Sequence, residues 1–173
     1  MFQISEVMLA RWQKEDEPKA TASDIKLIES SLGIKLPVPY VEFVSQYGFV
    51  MFNDVPGMCD QFSYTITYPD RLEAHEGNIA YVMQPDRVIQ SYNIATDPDY
   101  GEEWSPCFPR NYLPIAGDAG QGLILLELDG DHQGRIWYWT EKQWPWGEED
   151  NTWLGFVAEN FYDFINNLHP YRD

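Results

Sequence analysis

The strongest constraint on this chain is a change of hydrophobic period. Phe62, Tyr64, Ile66 and Tyr68 alternate with Gln61, Ser63, Thr65 and Thr67. Period two over this length is a half-buried strand, and Pro69-Asp70 stops it. On either side the period is helical. Ile25, Ile28 and Leu32 fall three and four apart, and Tyr40, Phe43, Val44 and Tyr47 fall at i, i+3, i+4 and i+7. Val157, Phe161, Phe164, Ile165 and Leu168 repeat at helical spacing near the end. Helices, then strands, then a helix is the order of an α+β protein: N-terminal helices, a central mostly antiparallel sheet and a C-terminal helix packed on it. At 173 residues the whole chain, 1–173, is expected to form a single domain.

Local signals fill in the boundaries. Ile4 to about Trp12 reads as a short helix. Thr21-Ala22-Ser23-Asp24 reads as a capping box with an acid in its last position, and Gly33 as the stop of the helix it opens. Pro39 is suited to the first turn of the next helix, and Gly48 ends it. Ile79 to Met83, Tyr112 to Ala116, Leu123 to Leu128 and Arg135 to Thr140 read as strands, the last two as a hairpin about Asp129-Gly130-Asp131. Gly117 to Gly122 reads as a turn whose glycines permit positive φ. Asp97 to Arg110, rich in Pro, acid and aromatic residues, reads as a long loop.

Charge narrows the partners. The chain carries 28 acids against 11 bases, a net of −17. Residues 1–53 hold a net of −2, residues 54–103 hold −8 and residues 104–173 hold −7. Such a molecule repels phosphate backbones and anionic lipid, so neither nucleic acid nor membrane is an expected partner, whereas a basic protein is attracted and steered. Plain solubility is the other reading of an acidic surface. No apolar run is long enough to span a bilayer, and Met1 to Glu6 do not begin a secretory signal. Cys59 and Cys107 read as reduced thiols, and a cytoplasmic location is expected.

Residues of types that carry chemistry do not assemble into a motif. Asp129-Gly130-Asp131-His132-Gln133-Gly134 begins like a calcium loop, but Thr140 stands where a bidentate Glu is needed. The glycines of 117–122 lack the Lys-Ser/Thr of a phosphate loop. His75, His132 and His169 have no metal-pair spacing, and no serine sits in a Gly-x-Ser-x-Gly elbow. The expectation is no catalytic residue, no cofactor and no metal.

Aromatic residues beside acids point instead to an interface, because buried Trp and Tyr dominate binding energy. Two stretches have that mixture: Asp97, Asp99, Tyr100, Glu102, Glu103 and Trp104, and Trp144 with Trp146, Glu148, Glu149 and Asp150. The acids would steer, with Trp104 or Trp146 as anchor. In the strand from Arg135, Ile136 and Tyr138 share one face, and Trp137 and Trp139 the other. One of these faces must be core.

Two regions carry a family resemblance. The first has Ile28-Glu29, Leu32-Gly33, Leu36-Pro37-x-x-Tyr40-x-x-Phe43 and Tyr47-Gly48. The second has Pro114-Ile115-Ala116-Gly117-Asp118, Gly120-x-Gly122 and Ala158-x-x-Phe161-x-x-Phe164-Ile165. In order and spacing they resemble the SUKH superfamily, which includes bacterial immunity proteins and the fungal Smi/Knr-type cell-wall regulators. The departures are Ala119 and Gln121 in the turn and a long middle stretch, Asn53 to Asn111. The resemblance implies an α+β fold, binding without enzymatic activity, and structural roles for Leu36, Pro37, Tyr40, Phe43 and Phe161.

The resulting expectation is an immunity protein, monomeric or weakly dimeric, that binds and neutralises a cognate protein toxin. A basic nuclease is the toxin whose charge complements it. The alternatives are an intracellular regulatory scaffold and a carbohydrate-binding or carbohydrate-cleaving protein using the Trp cluster and paired acids.

Overall fold

A computed structural model describes residues 1–12, 17–52, 56–99, 106–140 and 154–171. The N-terminal third is helical where the spacing places it. α1 spans Glu6–Ala10, with the Ser5 hydroxyl accepting from the Met8 amide. α2 spans Ala22–Leu32 and opens on the expected capping box. Thr21 Oγ1 accepts from the Asp24 amide at 3.2 Å, and the Asp24 carboxylate accepts from the Thr21 amide at 2.8 Å. The Thr21 amide, and the Thr21 hydroxyl that also donates to this carboxylate at 2.7 Å, favour its ionised form and hold its pKa below the usual range. Gly33 ends α2 at φ 68°, a left-handed conformation that glycine adopts without a Cβ clash. α3 spans Val38–Tyr47. The connector before it is held by Glu29, whose carboxylate accepts from Lys35 Nζ at 2.7 Å and from the Leu36 amide at 3.1 Å.

The sheet holds β1 (Gln61–Thr67), β2 (Leu72–Asn78), β3 (Tyr81–Val82), β4 (Tyr112–Gly117), β5 (Leu123–Glu127), β6 (Ile136–Trp139) and β7 (Leu154–Ala158). Their order across it is β2-β1-β7-β6-β5-β4-β3, and every neighbouring pair is antiparallel. α4 (Pro85–Thr96) enters between β3 and β4, and α5 (Phe161–Asn166) follows β7. The architecture is α+β, with the C-terminal helix on the sheet.

One face of the sheet meets the helices. Phe62, Tyr64 and Ile66 of β1, Ile136 and Tyr138 of β6, and Ile124 and Leu126 of β5 are buried there with Tyr40, Phe43, Phe161 and Phe164. The aromatic rings pack edge to face: Phe43–Phe161 at 5.1 Å, Tyr40–Phe161 at 5.4 Å and Phe62–Phe164 at 5.6 Å. Leu36, Tyr40, Phe43, Phe161 and Phe164 of the family resemblance are therefore core positions, whereas Pro37 is half-buried. On the opposite face a smaller cluster joins Trp139, Leu125, Phe108 and Ala95.

Two expectations need correction, and two elements join those read from the sequence. Val157 does not belong to the closing helix. It lies in β7, and α5 starts only after Asn160, whose side chain accepts from the Asp163 amide at 2.9 Å. The added elements, β2 and α4, both lie within 70–96. The glycines of 117–122 are not at positive φ. Gly117 and Gly122 are needed for close approach. A Cβ on Gly117 would meet the Tyr81 ring, and one on Gly122 would collide with the Asp118 carboxylate and the Tyr138 hydroxyl.

Candidate partner-binding surface

The face of the sheet away from the helices is open around β1, β6 and β7. Trp137 and Phe156 are cross-strand partners there and pack edge to face at 5.5 Å. Both are half-buried. Strand alternation puts them here, because Ile136 and Tyr138 take the core side. The Trp137 indole N–H donates to Glu127 at 2.9 Å, which fixes the ring plane. Arg135 lies over the Phe156 ring at 5.7 Å and is held by Glu159 through two bonds, 2.7 and 3.2 Å. With Thr65, Thr67 and the exposed Leu72 these residues line an open recess of about 370 Å³. An aromatic floor rimmed by fixed charges can anchor an apolar side chain and orient the groups around it.

Next to the recess, β1 and β7 share the single pair Thr65–Phe156 and then diverge. Gln61 pairs beyond that point with His169. Glu76 bridges this corner. It accepts from the Ser63 hydroxyl at 2.8 Å and stands 3.1 Å from His169 Nε2. His169 Nδ1 lies 2.9 Å from the Pro170 carbonyl. The serine thus donates to a carboxylate and not to an imidazole, which is the reverse of the arrangement that activates a nucleophile. Cys59 is buried, and burial pushes its thiol pKa up, away from the reactive thiolate. Among the described residues no three His, Cys, Asp or Glu side chains gather as a metal site.

Of the residues singled out in the sequence, Asp97 and Asp99 follow the end of α4, where Asp97 Oδ1 accepts from the Asp99 amide at 2.9 Å. Tyr100, Glu102, Glu103, Trp104, Trp146, Glu148, Glu149 and Asp150 lie outside the described residues. Trp139 is buried, so it and Trp137 do not form an exposed, flat platform for a sugar ring. Phe156, Leu72, Arg135 and Glu159 went unread in the sequence. Only the alternation of Trp137 with Tyr138 pointed toward this face.

The model of the SMI1 / KNR4 family (SUKH-1) matches residues 19–167. The chain belongs to this family. The SUKH-1 match begins just before the Thr21 cap of α2 and ends at Asn167, the C-cap of α5. It therefore takes in the whole sheet. The chain is also similar to an SPbeta prophage-derived uncharacterized protein, YokK, of Bacillus subtilis (strain 168). The two are 25% identical over an alignment of 154 residues that covers 86% of this chain and 74% of that protein. No helix among the described residues is long and apolar enough to cross a membrane.

Proposed function

We propose that this SUKH-1 protein is a non-catalytic binding protein that neutralises a basic cognate toxin, as an immunity protein does. The observation that carries this reading is the open sheet face, where Trp137 and Phe156 form an aromatic floor on a molecule of net charge −17. An apolar anchor gives the contact its lifetime, and the surrounding negative potential gives it speed and selects a positive partner. A nuclease fits that description, since it must present positive charge to a polyanion. The similarity to a prophage-derived protein supports a role in conflict between genomes.

The test is co-expression with the protein encoded beside this one in its genome. The expected result is a growth defect caused by the neighbour alone and relieved by co-expression, together with a purified complex whose affinity falls as salt rises. A neighbour whose toxicity is unrelieved, or a complex unmoved by salt, overturns the reading.

A further inference from the structure

β2 is the end strand of the sheet and pairs on one side only among the described residues. The register shows which of its backbone groups remain open. The Tyr68 amide donates to the Arg71 carbonyl at 2.8 Å across Pro69-Asp70, and the Ile79 amide to the Asp60 carbonyl at 2.8 Å. Bonded and non-bonded pairs alternate along an antiparallel ladder, so Ile66–Glu73, Tyr64–His75 and Phe62–Gly77 are the bonded pairs. Leu72, Ala74, Glu76 and Asn78 then point their N–H and C=O groups away from β1. The far side of β1 agrees. Thr65 pairs with Phe156 of β7, and Gln61 exchanges two 2.9 Å bonds with His169. These are the β1 residues that alternation turns away from β2.

The opposite end of the sheet is treated differently. β3 is covered by the preceding segment, with the Val82 amide donating to Val50 and Met51 bridging Tyr81. β2 is left bare. Sheets guard bare edges with charged side chains, lysine above all, with proline or with a bulge. β2 has no lysine, proline or bulge over its seven paired residues, and its only guards are acidic. Its ionisable side chains are Glu73, His75 and Glu76, and Leu72 beside them is 69% exposed. Arg71 holds Glu73 at 2.7 Å and Asp70 at 3.1 Å, so this one base is shared by two acids and the edge with its turn keeps an acidic balance. Acidic guards repel a second acidic chain, including a copy of this one, and admit a basic one.

We propose that β2 is a docking edge, to which an extended basic segment of the partner adds as a further antiparallel or parallel strand. Main-chain bonds to Leu72, Ala74, Glu76 and Asn78 hold it. Its alternate side chains fall on two faces. Those beside Leu72 and Ala74 border the Trp137–Phe156 recess and are apolar. Those on the other face meet Glu73 and are lysine or arginine. The inference rests on the toxin-neutralising reading for the identity of the partner and assigns the place where it docks.

Ala74→Pro is the discriminating variant. It deletes an amide that points off the sheet and leaves the β1 ladder intact, which is the position an edge strand tolerates. Ala74→Thr keeps the amide and serves as control. The first arm uses the full chain and a nine-residue capped peptide alternating lysine and valine. The amides of Leu72, Ala74, Glu76 and Asn78 should gain exchange protection, and the dissociation constant should rise at least about tenfold in Ala74→Pro and hold in Ala74→Thr. A matched glutamate–valine peptide should not bind. Unprotected edge amides, equal binding by Ala74→Pro, or concentration-dependent protection without peptide each overturn the proposal, the last by placing a second copy on the edge.

The second arm uses the neighbouring gene's product. Neutralisation lost in Ala74→Pro and kept in Ala74→Thr supports the edge. Neutralisation equal in both overturns the edge and leaves the functional reading standing. No neutralisation by the unmodified chain removes that reading, and the peptide arm then decides the edge alone.

Discussion

The Tyr138 hydroxyl donates to Asp118 Oδ2 at 2.6 Å, while Asp118 Oδ1 accepts from the amides of Gly120 and Gly122 at 2.7 and 2.9 Å. One carboxylate thus closes the turn between β4 and β5 and ties it to β6. Tyr138→Phe should cost about 1.5–3 kcal/mol, the range for a hydrogen bond to a charged group, with the fold unchanged. Denaturant unfolding checks this. The double variant with Asp118→Asn should show coupling, because the two groups share one bond. Additive losses would mean the bond contributes nothing of its own.

Tyr40 makes the opposite case. It is fully buried, and its hydroxyl has no hydrogen-bond partner among the described residues. Tyr40→Phe should therefore stabilise the protein, by roughly 1 kcal/mol, because an unpaired hydroxyl no longer needs to leave water. Burial also pushes the Tyr40 pKa well above the ordinary tyrosine value near 10, and burial followed by the Asp118 bond does the same to Tyr138. Above about pH 10 the unfolded chain loses these protons and the folded chain keeps them, so stability falls as pH rises. Below that pH the contribution is complete. Melting temperatures between pH 8 and 11 should drop less steeply in Tyr40→Phe than in the unmodified protein. Parallel curves would show that Tyr40 does not titrate in this range on unfolding.

Much of this fold was legible because its core elements repeat cleanly. The Thr21 cap, the Tyr40–Tyr47 face and the Phe62–Ile66 alternation each gave their element at once. β2 was not legible, because Leu72 to Asn78 carry no alternation. An edge strand open on one side needs little, and β1 recruits it through the Pro69-Asp70 turn and the place Gly77 leaves for the Phe62 ring. α4 had a readable signal, Pro85 in the first turn and then Val88, Tyr92 and Ala95 at spacings of three and four. Its low apolar content hid it. Val157 misled because its spacing to Phe161 and Phe164 is helical by coincidence, and pairing of its neighbour Phe156 with Trp137 decides the matter. The recess depends on strands distant in sequence, so no local pattern contains it.

Gly155 is a further point where the sheet has no room. A Cβ there would collide with the Tyr64 ring, which itself packs on Tyr138 at 4.9 Å and on His75 at 5.3 Å. Gly155→Ala must push a buried ring or part β1 from β7, where they share one pair. The expected loss is about 1–3 kcal/mol, as for other overpacked cores. Loss of exchange protection at Thr65 should accompany it. Unchanged stability would show that Tyr64 has another place to go.

Trp137 and Trp139 separate folding from binding. They share a face of β6 and differ in what covers them. Trp139 is buried, with Phe108 packed edge to face at 6.1 Å and Leu125 beside it. Trp139→Ala empties that cluster and should cost roughly 3–5 kcal/mol. Trp137 is half-buried on the open recess, with Phe156 and Glu127 as partners. Trp137→Ala should cost less in unfolding experiments, and more than about 2 kcal/mol in binding to the neighbouring gene's product if this ring anchors the partner. Calorimetric titration beside denaturant unfolding gives both numbers for both variants. A Trp137→Ala protein that binds like the unmodified chain would move the anchor elsewhere on the surface. A Trp139→Ala protein that unfolds like it would show that the second cluster supports neither the sheet nor the recess above it.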